Sequence, residues 1–389
     1  MLRSLGTCPE TSGQLMKLLF CIKSVTTLGG GAERVFVEVA NGLHRRGHDV
    51  SVLTLDGSLA SSFYALSPEI RRQTLKIRGL MPLPLIGLRR RIHELAPDVV
   101  VAFMPSSYTP IAFALMGSGL PIIASEHNVP ARYSGTPLHW ALLKLSARFV
   151  KRFTAVSSQM KQLYPPTIRA KMDVLPNPTG WSAGRQADVI GPEAGRTLLA
   201  VGRLHPQKDH ITLVQAFALL ASDFPEWTLK IVGDGDERTT IEAEVKRLNL
   251  SDRVRLPGST PDISSVYSAA QLYVISSAYE SYGLATVEAL AHGLPAIGFS
   301  DCAGTNELIK SGENGLLVDS GPTKAIALAA GLRQLMQDSE LRLRLSKPAN
   351  AAHAGATLEE VLDKWEAISL RSSPVLSAKV PGKAGGAHV

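Results

Sequence analysis

Cysteine is scarce in this chain. Three occur in 389 residues, Cys8, Cys21 and Cys302, none close enough to another for a metal knuckle or a CxxC pair. A disulfide scaffold is excluded, and a reducing compartment is the better fit. An unbroken apolar span is missing too. The longest charge-free run, residues 99–125, contains Pro105, Pro110 and Pro121 with several Ser and Gly. No uniform apolar helix of about 20 residues survives inside it, so no membrane span is expected. It reads instead as strand, turn, short helix, strand. Residues 15–25 are apolar but short and interrupted by Lys17 and Lys23. They read as a first β-strand rather than a signal peptide. No internal repeat is visible. What remains is 45% hydrophobic and 19% charged, an ordinary globular balance. At roughly 100–200 residues per domain, two or three domains are expected.

The net charge of +7 is unevenly spread. Residues 1–180 hold 21 Lys and Arg against 10 Asp and Glu, or +11; residues 181–389 hold the other 20 and 24, or −4. Such a split suggests two domains with different partners, the first facing something anionic. The basic residues lack interleaved aromatics or a nucleic-acid reading motif. An anionic membrane surface or a phosphorylated lipid fits at least as well as nucleic acid, and no nucleic-acid partner is expected.

Strand-like and helix-like stretches alternate twice over, which predicts an α/β chain layered around parallel sheets. First-half strands are read at LMKLLFCIKS, HDVSVLTL, DVVVAFM, LPIIASEH and RFTAVSS, with helices such as 32–46 and 138–150 between them. The strands are near-continuous apolar runs, as expected when both faces of a sheet are covered. Residues 179–196 read as a linker, after which the pattern restarts at TLLAVGR and runs to GLLVD. Two doubly wound halves would enclose a cleft bordered by strand C-termini. A last amphipathic helix is read at 359–368, and residues 1–13 and 372–389 are expected to be disordered.

Four motifs sit at strand ends. Gly29-Gly30-Gly31-Ala32-Glu33-Arg34 is a glycine-rich strand-to-helix turn that lets a diphosphate approach backbone amides. Arg34 stands where the third glycine of GxGxxG belongs, which disfavours a nicotinamide dehydrogenase and leaves a plain tight turn as the rival. In VGRLHPQKD, Arg203 and Lys208 can straddle a pyrophosphate, one as a fork and one as a point charge. In ESYGLATVE, Glu280 and Glu288 lie eight apart, and Gly283, Leu284, Ala285 and Thr286 between them offer amides at a helix start. Paired glutamates also occur in glycoside hydrolases, though that chemistry needs no anion site alongside. In SEHN, His127 ends a strand at the cleft, where a substrate contact competes with a structural role. Asp234-Gly235-Asp236 resembles a metal-binding DxD but reads as a cap and turn. His205, His210 and His292 lack metal-ligand spacing, so no metal is expected.

Together these residues resemble the retaining GT-B glycosyltransferases that carry a Glu, seven residues, Glu signature. The likeness spans residues 15–368 and rests on GGGAERV, SEHN, LPNP, VGRLHPQKD, IVGDG, ESYGLATVEAL, GLPAIGF and ENGLLV. It implies a Rossmann-like acceptor domain over 15–180, a Rossmann-like sugar-nucleotide domain over 195–355, and a helix at 358–370 crossing back to the first. It implies that Arg203 and Lys208 grip the diphosphate, Glu280 meets the transferred sugar, and Glu288 holds the ribose. Gly283, Leu284, Ala285 and Thr286 would present amides to the donor. Gly31 would pack on the donor phosphate from the other domain, and His127 would stand beside the sugar.

The expected activity is therefore retaining transfer of a hexose or N-acetylhexosamine from a nucleotide diphosphate, with UDP favoured, to a saccharide acceptor. A lipid-diphosphate-linked acceptor at the cytoplasmic membrane face, in polysaccharide or lipopolysaccharide assembly, fits the motifs and the basic first half. No cofactor is expected beyond the sugar nucleotide itself. Two rival readings are a nucleotide-sugar epimerase on the same fold and a non-catalytic subunit of a glycan-assembly complex. The N-terminal extension and Ala/Gly-rich tail depart from the family pattern, and Met16 is an alternative start to Met1.

Overall fold

A computed structural model describes residues 14–26, 30–77, 82–133, 135–178, 185–191, 195–260, 262–346 and 356–373. The first half holds strands β1 (Lys17–Ile22), β2 (Asp49–Thr54), β3 (Arg71–Thr74), β4 (Val99–Phe103), β5 (Ile122–Glu126), β6 (Arg152–Ala155) and β7 (Met172–Val174). Around them lie α1 (Gly31–Arg45), α2 (Pro82–Leu95), α3 (Pro105–Ala114), α4 (Pro137–Ser146), α5 (Ser158–Leu163) and α6 (Pro166–Arg169). The second half holds β8 (Arg196–Val201), β9 (Trp227–Val232), β10 (Val254–Gly258), β11 (Leu272–Val274), β12 (Ala296–Phe299) and β13 (Gly315–Val318). Its helices are α7 (His210–Ala218), α8 (Arg238–Arg247), α9 (Ile263–Ser268), α10 (Leu284–Ala291), α11 (Thr305–Leu308), α12 (Lys324–Gln337) and α13 (Ser339–Leu345). The last helix is α14 (Leu358–Ser372).

Both sheets are parallel. The first runs β3-β2-β1-β4-β5-β6-β7 and the second β10-β9-β8-β11-β12-β13. In each, strand order reverses beside the opening strand, between β1 and β4 and between β8 and β11. Ligands of open α/β sheets sit at such reversals, outside the strand C-termini. Central strands are wholly buried: β4 and β5 present no exposed residue. That explains why their sequences are continuous apolar runs rather than alternating ones.

The chain closes by returning to its start. Thr357 and Glu360 form a reciprocal capping box that begins α14. Val361, Leu362, Trp365 and Ile368 then enter the first-half core beside Phe20, Phe36 and Phe103. Gly42 of α1 has no room for a side chain, because a Cβ there would lie 2.6 Å from Leu362. Arg46 at the end of α1 bonds to Glu359, Asp363 and Glu366, one turn of α14 after another.

Several sequence expectations need correction. Between the strands read at HDVSVLTL and DVVVAFM, where the sequence reading names no element, the structure holds β3 and α2. β3 is RRQT, an edge strand without an apolar run, and α2 opens with Pro82, Pro84 and Gly87, which mask a helical pattern. Arg196, placed in the linker, belongs to β8. Ser372, placed in the disordered tail, is buried at the end of α14; residues 1–13 and 374–389 lie outside the described residues. Among the described residues no helix is long and apolar enough to cross a membrane.

Candidate functional site

The two strand-order reversals face each other across a cavity of about 540 Å³, lined from both halves of the chain. That is a size suited to a nucleotide-sized ligand. Arg203, Lys208, Glu280, Gly283, Leu284, Ala285 and Glu288 line it from the second half, and Gly31 and His127 from the first.

The loop after β8 delivers Lys208. Its backbone is tied to the loop after β11, where Ala278 N–H donates to the Gln207 carbonyl at 2.9 Å and Ser276 Oγ to the Lys208 carbonyl at 2.8 Å. Lys208 Nζ then donates to Glu280 Oε1 at 2.6 Å, and Ser277 Oγ donates to the same oxygen at 2.6 Å. Glu280 is 6% exposed, so this pair is largely withdrawn from water. With Oε1 doubly engaged, Oε2 is the Glu280 oxygen left to accept from a ligand hydroxyl. Arg203 is exposed at the cleft, and its charge opposes the upward push that burial exerts on the nearby Glu33 carboxyl.

Gly283 caps α10 with φ at +86°, a left-handed conformation that favours glycine and turns the chain into the helix. The amides of Leu284 and Ala285 open the helix toward the cavity with no carbonyl of their own helix to bond. Thr286 departs from expectation. Its amide already donates to the Gly283 carbonyl at 2.9 Å, and its side chain is fully buried under the helix rather than at the cavity. Glu288, one turn deeper, accepts from Tyr267 Oη at 2.8 Å through Oε2 and from Arg34 Nη1 through Oε1.

Gly31 begins α1 directly opposite α10. A Cβ on it would lie 2.8 Å from Leu284 Cδ1, so a bare backbone is what lets the two halves approach there. A second bond between the halves runs from Ser157 Oγ to Glu307 Oε1 at 2.9 Å.

His127 follows β5 into the cavity, its ring stacked on Phe103 with centroids 5.2 Å apart. Burial pushes its pKa down to about 4, so the ring is neutral near pH 7. The preceding Glu126 is wholly buried, which raises its pKa, against the donors gathered around it: Tyr108 Oη at 2.6 Å and the amides of His127 and Asn128 at 2.9 Å each.

The DxD candidate proves to be a tether rather than a cap. Asp234 accepts from Arg238 at 2.6 Å and from the Ser259 amide at 2.9 Å, joining the ends of β9 and β10. Of the remaining histidines, His205 Nδ1 accepts from the Gln207 amide, His292 bridges Ser264 and the Glu288 carbonyl, and His210 is buried. Among the described residues no group of three or more His, Cys, Asp or Glu is placed to hold a metal.

Sequence reasoning missed Arg34, Glu33 and Tyr64 as cavity residues. Arg34 was noticed only as a missing glycine. A cation in the first turn of α1 aimed at the cleft is a signal in its own right.

Two family models match the chain in succession: Glycosyltransferase Family 4 over residues 29–179 and Glycosyl transferases group 1 over residues 187–352. The chain is 26% identical to an uncharacterized glycosyltransferase of Haemophilus influenzae, over 91% of this chain and all of that one. It is 27% identical to a Campylobacter jejuni α-1,4-N-acetyl-D-galactosaminyltransferase whose name specifies an undecaprenol-diphosphate-linked saccharide, over 90% of this chain and 97% of that one. It is also 27% identical to the Rhizobium meliloti lipopolysaccharide core glycosyltransferase LpsE, over 89% and 97%. Among solved structures, Anabaena HepE in complex with UDP and glucose superposes with a TM-score of 0.76 at 22% identity, over 92% of this chain and all of that one. WaaG, a glycosyltransferase of lipopolysaccharide biosynthesis, does so at 0.70 and 19%, over 90% and 99%. Those two establish the GT-B fold.

Proposed function

The chain belongs to the group 1 glycosyltransferases of GT-B fold, and from that premise we propose that it moves a hexose or N-acetylhexosamine from a UDP-sugar, with retention, to a lipid-linked saccharide during assembly of a bacterial surface glycan. One observation carries the reading: the cations, the helix start and both glutamates of the second half face Gly31 and His127 of the first across a single cavity.

In this reading the bond from the sugar's anomeric carbon to the diphosphate oxygen breaks, and charge gathers on the diphosphate. Arg203, Lys208 and the first amides of α10 stabilise it where it forms. Glu280, held through Oε1, accepts from a sugar hydroxyl through Oε2 and fixes the ring. The acceptor hydroxyl forms the new bond from the face the diphosphate leaves, passing its proton to the departing phosphate oxygen. Closure of the two halves over the donor keeps water out and limits its hydrolysis.

UDP as carrier is supported by the HepE complex, and a lipid-diphosphate acceptor by the name of the Campylobacter relative. Peripheral attachment to an anionic membrane is supported by the +11 first half. There α2 and α4, which flank α3, carry exposed Leu83, Ile86, Leu138 and Leu145 together with Arg90, Arg91 and Lys144.

The test is nucleotide release from a panel of UDP-, GDP- and ADP-sugars, with and without bacterial lipid extract, followed by the anomeric configuration of the product. Release from a UDP-sugar that lipid stimulates, giving a retained anomer, is expected. Release indifferent to acceptor would indicate hydrolysis or epimerisation, and no release from any donor would overturn the reading.

A further inference from the structure

His127 reaches the cavity with one ring nitrogen already engaged. Its Nε2 lies 3.0 Å from Ser125 Oγ, and Ser125 Oγ accepts from Thr154 Oγ1 at 3.0 Å. Both residues are buried, at 2% and 3% exposure. A hydroxyl carries a single proton. Thr154 donates into Ser125, and among the described residues the remaining hydrogen-bond partner of Ser125 Oγ is His127 Nε2, so the Ser125 proton has that nitrogen as its acceptor. A neutral ring with Nε2 as acceptor carries its own proton on Nδ1.

The surroundings hold the ring in that state. It stacks on Phe103 at an interplanar angle of 20°, and Phe103 stacks in turn on Trp365 of α14, with centroids 5.7 Å apart at 19°. The backbone on either side is clamped by the two amides that donate to Glu126. Ring plane, backbone and Nε2 are all fixed, so Nδ1 is the polar ring atom left for a ligand.

We propose that Ser125 and Thr154 are positioning residues that hold His127 as its Nδ1–H tautomer, making Nδ1 an obligate hydrogen-bond donor to an oxygen of the transferred sugar. The sugar as recipient rests on the function proposed above; the tautomer does not. A histidine fixed in this way serves as a donor and cannot act as a proton acceptor through Nδ1.

The test uses the full chain labelled with 15N-histidine. It holds ten histidines, and His127 is assigned by the signals lost in His127→Asn. At pH 7 the expected spectrum shows Nδ1 protonated and Nε2 bare. Ser125→Ala should abolish that preference, Thr154→Val should weaken it, and Ser125→Thr should restore it, each in chains whose thermal melts show them folded. A wild-type ring protonated on Nε2, or a tautomer indifferent to Ser125→Ala, overturns the proposal. Turnover supplies the second readout. His127→Asn places an N–H near the former Nδ1, and His127→Gln places one near the former Nε2. The Asn variant should retain about tenfold more turnover than the Gln variant, the worth of one hydrogen bond. The opposite order overturns the donor role. Failure of the wild type to turn over any sugar nucleotide overturns the sugar as recipient along with the function beneath it, while the spectra still decide the tautomer.

Discussion

Arg34 on α1 and Glu288 on α10 form an ion pair across the cleft, joining the two halves at the glutamate proposed to hold the ribose. Tyr267 holds the other Glu288 oxygen at 2.8 Å. With Glu288 in that proposed role, the pair would link nucleotide binding to closure. Arg34→Ala and Glu288→Gln should each lower kcat/KM, and together they should cost less than the sum of the two. The expected coupling is about 1–3 kcal/mol, as for groups in direct contact. Strictly additive effects in a double-mutant cycle would show that the pair does not act as a unit.

Arg203 and Lys208 have the same proposed partner but different surroundings. Removal of either should reduce kcat/KM by roughly 10²–10³, in the range of other lost transition-state contacts. Their effects on stability should diverge. Arg203 is exposed, so Arg203→Ala should leave the unfolding free energy within about 0.5 kcal/mol. Lys208→Met leaves the buried Glu280 carboxylate with Ser277 as its remaining side-chain donor, at a cost of about 1–3 kcal/mol. Denaturant midpoints for the two variants, measured beside their turnover, check both statements.

The contrast between these residues also marks how far the sequence could be read. Arg203, Lys208, Glu280 and Glu288 could be placed at the cavity because each follows an apolar strand or lies in the helix after one, while their roles rest on the resemblance. β3 and α2 were not legible, because an edge strand needs no apolar run and a helix can begin with proline and glycine. Thr286 was misread because amide availability depends on where the helix starts: with Gly283 as cap, its N–H is already spent. Arg34 and Ser157 were missed for a related reason. Each pairs with a residue more than 140 positions away, and such pairing exists only once the halves are closed.

Gly31 offers a direct test of closure. Alanine suits the first turn of a helix, so Gly31→Ala should leave folding nearly unchanged, within about 1 kcal/mol. Its Cβ would nevertheless press on Leu284 Cδ1 from 2.8 Å. The expected result is reduced kcat/KM with a normal melting temperature. Leu284→Ala added to that variant should recover part of the loss, because it removes the opposing methyl while keeping the α10 amide. A double variant no better than the single one would mean the glycine serves the ligand rather than the opposite helix.

His210 should make the fold sensitive to mild acid. Burial, reinforced by the nearby Lys208 charge, pushes its pKa from 6.5 down to about 4. In the unfolded chain a histidine binds its proton near pH 6.5, so between these values the unfolded state holds more protons. Stability therefore rises with pH across that window and is lost as pH falls from about 6.5 toward 4. This one side chain should remove roughly 2 kcal/mol by pH 5 and at most about 3 kcal/mol below pH 4. His127, lowered to about 4 by burial, acts in the same direction. Melting temperatures of the wild type and His210→Leu, compared between pH 7 and pH 5, separate the contributions: the leucine variant should lose less on acidification. Parallel pH profiles would mean that the His210 ring takes up its proton in the folded chain as easily as in the unfolded one.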